Sequence, residues 1–164
     1  MLFAEAMPAA FFYLAPWVVF FPLLGLAVNL SIGKYLPERA IGWVASLASG
    51  AAFVVSVLLA LSLGTHPEGS RVVLAEWIHI GSLQLDWAFR VDTLSVTMML
   101  VVSGVGTLIH IYAIGYMHED VRFKGDAGRY RRFFVFFNLF IVAMMILVGG
   151  DSYLMLFVGW EGVG

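Results

Sequence analysis

The chain has no cysteine among its 164 residues. That excludes disulfides, thiolate metal ligands and iron–sulfur clusters held within it, and leaves the redox compartment open. Charge is scarce as well: only 12% of residues are charged, against 62% hydrophobic, and mean hydropathy is +0.94. No water-soluble domain could be solvated on that ratio, so the chain is expected to be an integral membrane protein. A net charge of −2 gives no argument for nucleic acid or an acidic ligand as partner. The four histidines lie without metal-ligand spacing, and the first residues, Met1-Leu-Phe-Ala-Glu-Ala-Met-Pro8, lack the basic n-region of a secretory signal. Neither lysine lies in an apolar stretch.

What remains is a series of long apolar runs. Four are long enough to span a bilayer, over about 11–32, 41–63, 94–116 and 133–148, the last extendable by snorkelling Arg131 and Arg132. A fifth begins near Ser152 and reaches Gly164 with too few residues to cross. The expected fold class is therefore an all-α integral membrane protein with four transmembrane helices and the start of a fifth. Residues 1–164 read as a single membrane domain, the N-terminal part of a longer subunit. Between the second and third spans, residues 72–91 carry two strand-like runs separated by Gly81-Ser82, the second alternating at period two. They predict a β-hairpin on the outer membrane face.

Orientation follows from the basic residues. Lys34 and Arg39 follow span one, and Arg122, Lys124, Arg129, Arg131 and Arg132 follow span three. The loop after span two has only Arg71 and Arg90 among Glu68, Glu76, Asp86 and Asp92, and the turn after span four has only Asp151. The positive-inside rule then places the basic loops in the cytoplasm and the N-terminus outward. The Arg129–Arg132 cluster anchors span four at the headgroups.

Glu161 stands out as a carboxylate within Gly159-Trp-Glu-Gly-Val-Gly164. If its helix starts near Ser152, it lies about 14 Å in, near the middle of a hydrocarbon core about 30 Å thick. A charge there costs at least about 2.5 kcal/mol, so it is retained where it faces a polar cavity or partner. A carboxylate in hydrocarbon holds its proton and a cation beside it releases it, so a movable lysine could load and unload such a group. The bland alternative is a hydrogen bond to a neighbouring helix, which an amide could make without charge. Flanking Gly159 and Gly162 permit close approach of another helix or a water chain.

Two further residues are candidates. His110, toward the inner end of span three in Leu108-Ile-His-Ile-Tyr112, could relay protons or merely bond a loop or helix end. Asp92 opens span three and reads first as an N-cap, second as part of a proton exit. Asn138 is expected to bond a neighbouring helix, and Gly42, Ser46 and Gly50 to form a helix-packing seam. Pro16 and Pro22 are expected to kink span one.

These residues carry a resemblance. Phe89-Arg-Val-Asp-Thr-Leu-Ser95, Leu108-Ile-His-Ile-Tyr112 with Gly115-Tyr-Met117, Arg132-Phe-Phe134 and above all Gly159-Trp-Glu-Gly-Val-Gly164 resemble the N-terminal part of subunit L of proton-pumping NADH:quinone oxidoreductase, respiratory complex I. The resemblance implies an antiporter-like membrane-arm subunit in which Glu161 pairs with a lysine on a later helix. It implies other membrane-arm subunits of complex I and the lipid bilayer as partners, a bacterial plasma membrane as location, and no cofactor in this chain. NADH, FMN, iron–sulfur clusters and quinone would belong to other subunits. Two rivals stay open: the large subunit of a multisubunit cation/proton antiporter, and a non-catalytic membrane assembly or scaffold protein. The complex I reading predicts that the coding DNA continues past Gly164 and places a lysine in an apolar span a helix or two later; a stop codon there would favour the scaffold.

Overall fold

A computed structural model describes residues 9–81, 83–124 and 126–164. A short 3-10 helix, Ala9–Leu14, leads into α1 (Trp17–Ser31), and a second, Gly33–Tyr35, turns the chain into α2 (Glu38–Thr65). Strands β1 (Ser70–Ile80) and β2 (Leu83–Val91) follow, then α3 (Thr93–Lys124), α4 (Ala127–Gly149) and α5 (Tyr153–Val163). Four helical segments are long and apolar enough to cross a membrane: Phe11–Ser31, Glu38–Thr65, Thr93–Asp120 and Gly128–Gly149. The expected class is the observed one, with an antiparallel two-stranded hairpin between the second and third long helices.

The helix starts are written in the sequence. Pro37 precedes α2, and its carbonyl accepts from Ala40 at 2.9 Å and Ile41 at 3.2 Å. Side-chain acceptors cap the other three: Asp92 takes the amide of Ser95 at 2.8 Å, Asp126 that of Gly128 at 3.0 Å, and Ser152 that of Met155 at 3.3 Å. Each removes an orphan donor that hydrocarbon or headgroups could not satisfy.

Helix α4 packs against α1, α3 and α5, while α2 packs against α1 and α3. Two buried clusters fill the bundle. The one near the hairpin gathers Val18, Leu59, Phe89, Met99, Met145 and Met155, and the one near the basic turns gathers Ile41, Ala45, Ala113, Met117, Tyr130 and Phe134. Large apolar side chains such as Leu24, Leu47, Leu108 and Phe136 cover the outside. That inversion of a soluble surface suits a lipid solvent, where the aliphatic side chains lose nothing by facing outward.

Several details differ from expectation. Pro16 stands between the first 3-10 helix and α1 as the N-cap of α1, its carbonyl accepting from Val19 and Phe20 at 3.1 Å, while Pro22 lies inside the helix. A proline at a helix entrance gives up only an amide that would be unbonded there. Helix α3 runs eight residues beyond 116, and α4 starts six before 133. These extensions lie beyond the apolar runs, where charge sets no penalty, and Arg129 bonds Asp120 across them at 3.0 Å. Gly81 adopts φ +59° after β1, which a residue with a Cβ tolerates poorly, and Ser82 lies outside the described residues.

Helix α5 is seated on α4 by glycine. A Cβ at Gly159 would come within 2.4 Å of the Leu147 amide nitrogen and 2.6 Å of its Cα, and one at Gly162 within 3.0 Å of the Ala143 Cβ. Backbone cannot yield as a side chain tip does. Gly159→Ala should therefore destabilise the α4–α5 pair by about 1–3 kcal/mol, read as a lower midpoint in SDS-denaturation titration; an unchanged midpoint would show that the two helices are not in contact there.

Candidate functional site

The glycines that seat α5 also decide where Glu161 points. Gly159 and Gly162 face α4, and Met155, fully buried, lies on the same side. Glu161 is exposed, as are Trp160 and Phe157. The carboxylate thus sits on the face of α5 turned away from the α1–α4 bundle, and among the described residues it has no ion-pair partner. The close-approach glycines meet a helix, as their size allows, but that helix is α4 and lies opposite the acid.

His110 occupies the reverse situation. It is 0% exposed, inside the bundle on α3. Its Nδ1 lies 2.7 Å from the Gly106 carbonyl and its Nε2 3.0 Å from Asn138 Oδ1 on α4. The ring stacks on Phe137 at 4.0 Å and 9°, and Phe134 tilts against it at 6.1 Å. A line of hydroxyls continues toward the hairpin end: the Thr107 and Ser49 hydroxyl oxygens lie 3.1 Å apart, and those of Ser103 and Ser56 lie 3.4 Å apart. Asn138 therefore bonds a neighbouring helix, and Gly42, Ser46 and Gly50 line the α2 seam, where Gly42 meets the Tyr130 hydroxyl and Ile114.

Asp92 caps α3 through Oδ1, and Oδ2 lies 3.6 Å from Arg90 Nε. The three candidate residues are not brought together. Asp92 is at the hairpin end, His110 within the bundle, and α4 stands between His110 and α5.

The hairpin end holds a cluster that residue-by-residue reading missed. Asp151, in the α4–α5 turn with its side chain 12% exposed, accepts from Arg71 Nε at 2.5 Å and Arg90 Nη1 at 3.1 Å. Its amide donates to Ala88 at 3.0 Å, and Phe89 and Gly150 form an isolated antiparallel bridge. Arg71 also bonds Asp86 at 2.9 Å, which in turn meets His79 at 2.9 Å. The hairpin is thereby fastened to the entrance of the helix that carries Glu161. The signal was present: Arg71 and Arg90 are the only arginines in an acidic loop, and Asp151 is the only acid in its turn.

Hydrogen bonds to His79 and then Arg71 hold the Asp86 carboxyl below its ordinary range, and bonds to Asp151 and then Asp86 raise Arg71. At the opposite end, bonding to Arg132 lowers Asp126. No group of three or more metal-ligating side chains occurs among the described residues.

The fold and this placement define a class: a multi-pass α-helical membrane protein with a carboxylate on a short apolar helix and an ion-clamped hairpin. Comparison with known proteins specifies it. Residues 77–134 match the family model described as NADH-ubiquinone oxidoreductase (complex I), chain 5 N-terminus. The chain is 40% identical over 152 residues, 90% of its length, to NADH-quinone oxidoreductase subunit L of Mycobacterium tuberculosis strain CDC 1551. It is 39% identical over 158 residues to subunit L of Pseudomonas aeruginosa and 33% identical over 147 residues to NADH-ubiquinone oxidoreductase chain 5 of Aspergillus niger, covering 92% and 90% of its own length. Over nine-tenths of its length the chain is thus similar to the subunit L and chain 5 proteins of complex I. It spans 22%, 24% and 21% of these relatives. The family-model match takes in the hairpin from Trp77 onward, Asp92 and His110 and stops before Glu161.

A carboxyl held low in the folded state contributes stability at pH values above its unfolded value and loses it as pH falls through the folded one. The Asp86 contribution should thus persist from neutral pH to about pH 4 and disappear below. Trp77 and Trp87, edge to face at 5.2 Å across the strands, report it. Their coupled near-UV circular dichroism should hold to that pH and then collapse; a signal unchanged on full acidification would show that the Asp86 carboxylate does not hold the strands in place.

Proposed function

We propose that this chain serves as the amino-terminal part of a proton-translocating membrane-arm subunit of NADH:quinone oxidoreductase, with Glu161 as its coupling carboxylate. The observation that carries the reading is the uncovered position of Glu161 on α5, turned from its own bundle and unpaired. An ionised carboxylate is not left facing lipid, so the reading requires a further element, bearing a cation, against that face. The lysine on a later helix that the family resemblance implies would fill the role. Loading and unloading of the acid would then follow the distance of that cation.

The chain would act on the redox reaction only from afar. NADH, FMN, iron–sulfur and quinone chemistry would lie in other subunits, and the neighbours would be other membrane-arm subunits within a lipid bilayer. His110 would be a second proton-carrying group and Asp92 a structural cap near the exit. The basic turns favour an orientation with the α1–α2 and α3–α4 ends on the cytoplasmic side of a bacterial plasma membrane, which would put the N-terminus and the hairpin on the outer face.

Replacing Glu161 by glutamine keeps the shape and removes the charge. In the full-length subunit assembled in its complex, proton translocation should fall at least about tenfold, equivalent to about 1.4 kcal/mol on the coupled step, while NADH oxidation by an artificial acceptor is kept. Pumping at the wild-type rate would refute the coupling role.

A further inference from the structure

The protein has only two asparagines, Asn29 on α1 and Asn138 on α4. Both are 0% exposed and each has one amide atom without a hydrogen-bond partner, the oxygen of Asn29 and the nitrogen of Asn138. A buried unpartnered polar atom is costly. Two in one membrane bundle call for a reason, and the neighbouring histidine supplies it.

The Gly106 carbonyl can only accept, so the His110 Nδ1 that it meets carries a hydrogen. Asn138 Oδ1 also only accepts, so its bond to Nε2 requires a second ring proton. An amide with its oxygen toward the ring therefore matches the charged imidazolium. When the ring is neutral, with its one proton on Nδ1, Nε2 is a bare acceptor and would face the lone pairs of Oδ1. Turning the amide over brings Nδ2–H to Nε2 and restores a bond. Amide orientation is fixed by the hydrogens around it, and here one neighbour changes its hydrogen count.

We propose that His110 and Asn138 form a proton-driven amide switch whose far end is read by α1. It rests on the reading of His110 as a proton-carrying group. The far end of the amide meets Gly25, where a Cβ would lie 2.7 Å from Asn138 Nδ2, so the absence of a side chain leaves room for either orientation. One turn along α1 is Asn29, whose amide nitrogen is committed to the Ile41 carbonyl at 3.1 Å and whose oxygen is free. With the ring charged, Asn138 turns a donor toward the helix carrying that free acceptor. With the ring neutral it turns an acceptor there, and the α1–α4 fit weakens.

No ionised group in the bundle competes for control. On α4 the ring meets Asn138, Phe134 and Phe137, and on its own helix Gly106. At this level α2 offers Ser46 and Ser49, and α1 offers Gly25 and Asn29. The next titratable group, Tyr130, is one ring removed, packed on Phe134 at 4.9 Å. Asn138 is thus a positioning residue for the proton on His110.

Solid-state NMR on the full chain in lipid bilayers, with histidine and asparagine 15N-labelled, tests the switch. Four histidines and two asparagines keep the spectrum small. The expected result is a neutral His110 protonated on Nδ1, with the Asn138 side-chain nitrogen moving at the same pH midpoint as the ring. In His110→Gln that movement should vanish. A neutral ring protonated on Nε2, a titrating ring with a static Asn138, or a movement that survives His110→Gln would each overturn the switch while leaving His110 a proton carrier. A ring that holds one state between about pH 5 and 9 would overturn both, and would leave the Glu161 reading to the translocation assay.

Discussion

A polar atom in hydrocarbon has no solvent to turn to, and most of this bundle can be understood from how its side chains meet that condition. Along the seam between α2 and α3 they bond backward onto their own helix. Ser46 donates to Gly42, Ser56 to Ala52, Ser103 to Met99 and Thr107 to Ser103, over 2.5 to 2.9 Å, and His110 does the same to Gly106. A hydroxyl satisfied in this way is small and self-contained, so helices can close on it as they do on alanine. Three side chains escape the pattern: Asn29, Asn138 and Glu161. Two leave an atom unpartnered inside the bundle, and the third turns its charge outside it. Those departures, more than the composition around them, set these side chains apart from the rest of the bundle.

The same condition explains the two ends. Beyond the hydrocarbon, charges can pair without a large desolvation penalty, and they do so in clusters that fasten one element to the next. Asp151 draws Arg71 and Arg90 to the α4–α5 turn, and β2 adds a backbone bond to the same turn. The entrance of α5 is set by this clamp, and its course is set by Gly159 against the Leu147 backbone. The position of Glu161 is therefore set by contacts that its own side chain does not make.

Much of the fold was legible. Apolar runs of spanning length located the long helices, and Gly81 with period-two alternation located the hairpin, because both signals are local. Helix ends were legible less well: the runs stop where charge begins, yet α3 and α4 continue into the headgroup region, as Arg129 bonding Asp120 shows. That Pro16 is an N-cap was not legible, because a proline at an N-cap and one inside a helix look alike until the hydrogen bonds are known. The caps at Asp92, Asp126 and Ser152 follow from residue type alone. The partnership of His110 with Asn138 does not, since it joins residues 28 apart on different helices.

By itself the sequence determined that this protein lives in a membrane, how many long helices it has, and that Glu161 is a carboxylate where carboxylates are rare. These are properties of composition and spacing, which a chain carries before it folds. Only the tertiary structure decided that Glu161 faces away from its own bundle, that Asp151 anchors the hairpin, and that Asn138 of α4 meets His110 of α3. Those facts depend on how helices rotate against one another. That rotation is set by which glycines let backbones touch and which polar atoms must find a partner, and both are settled only when all the helices are packed.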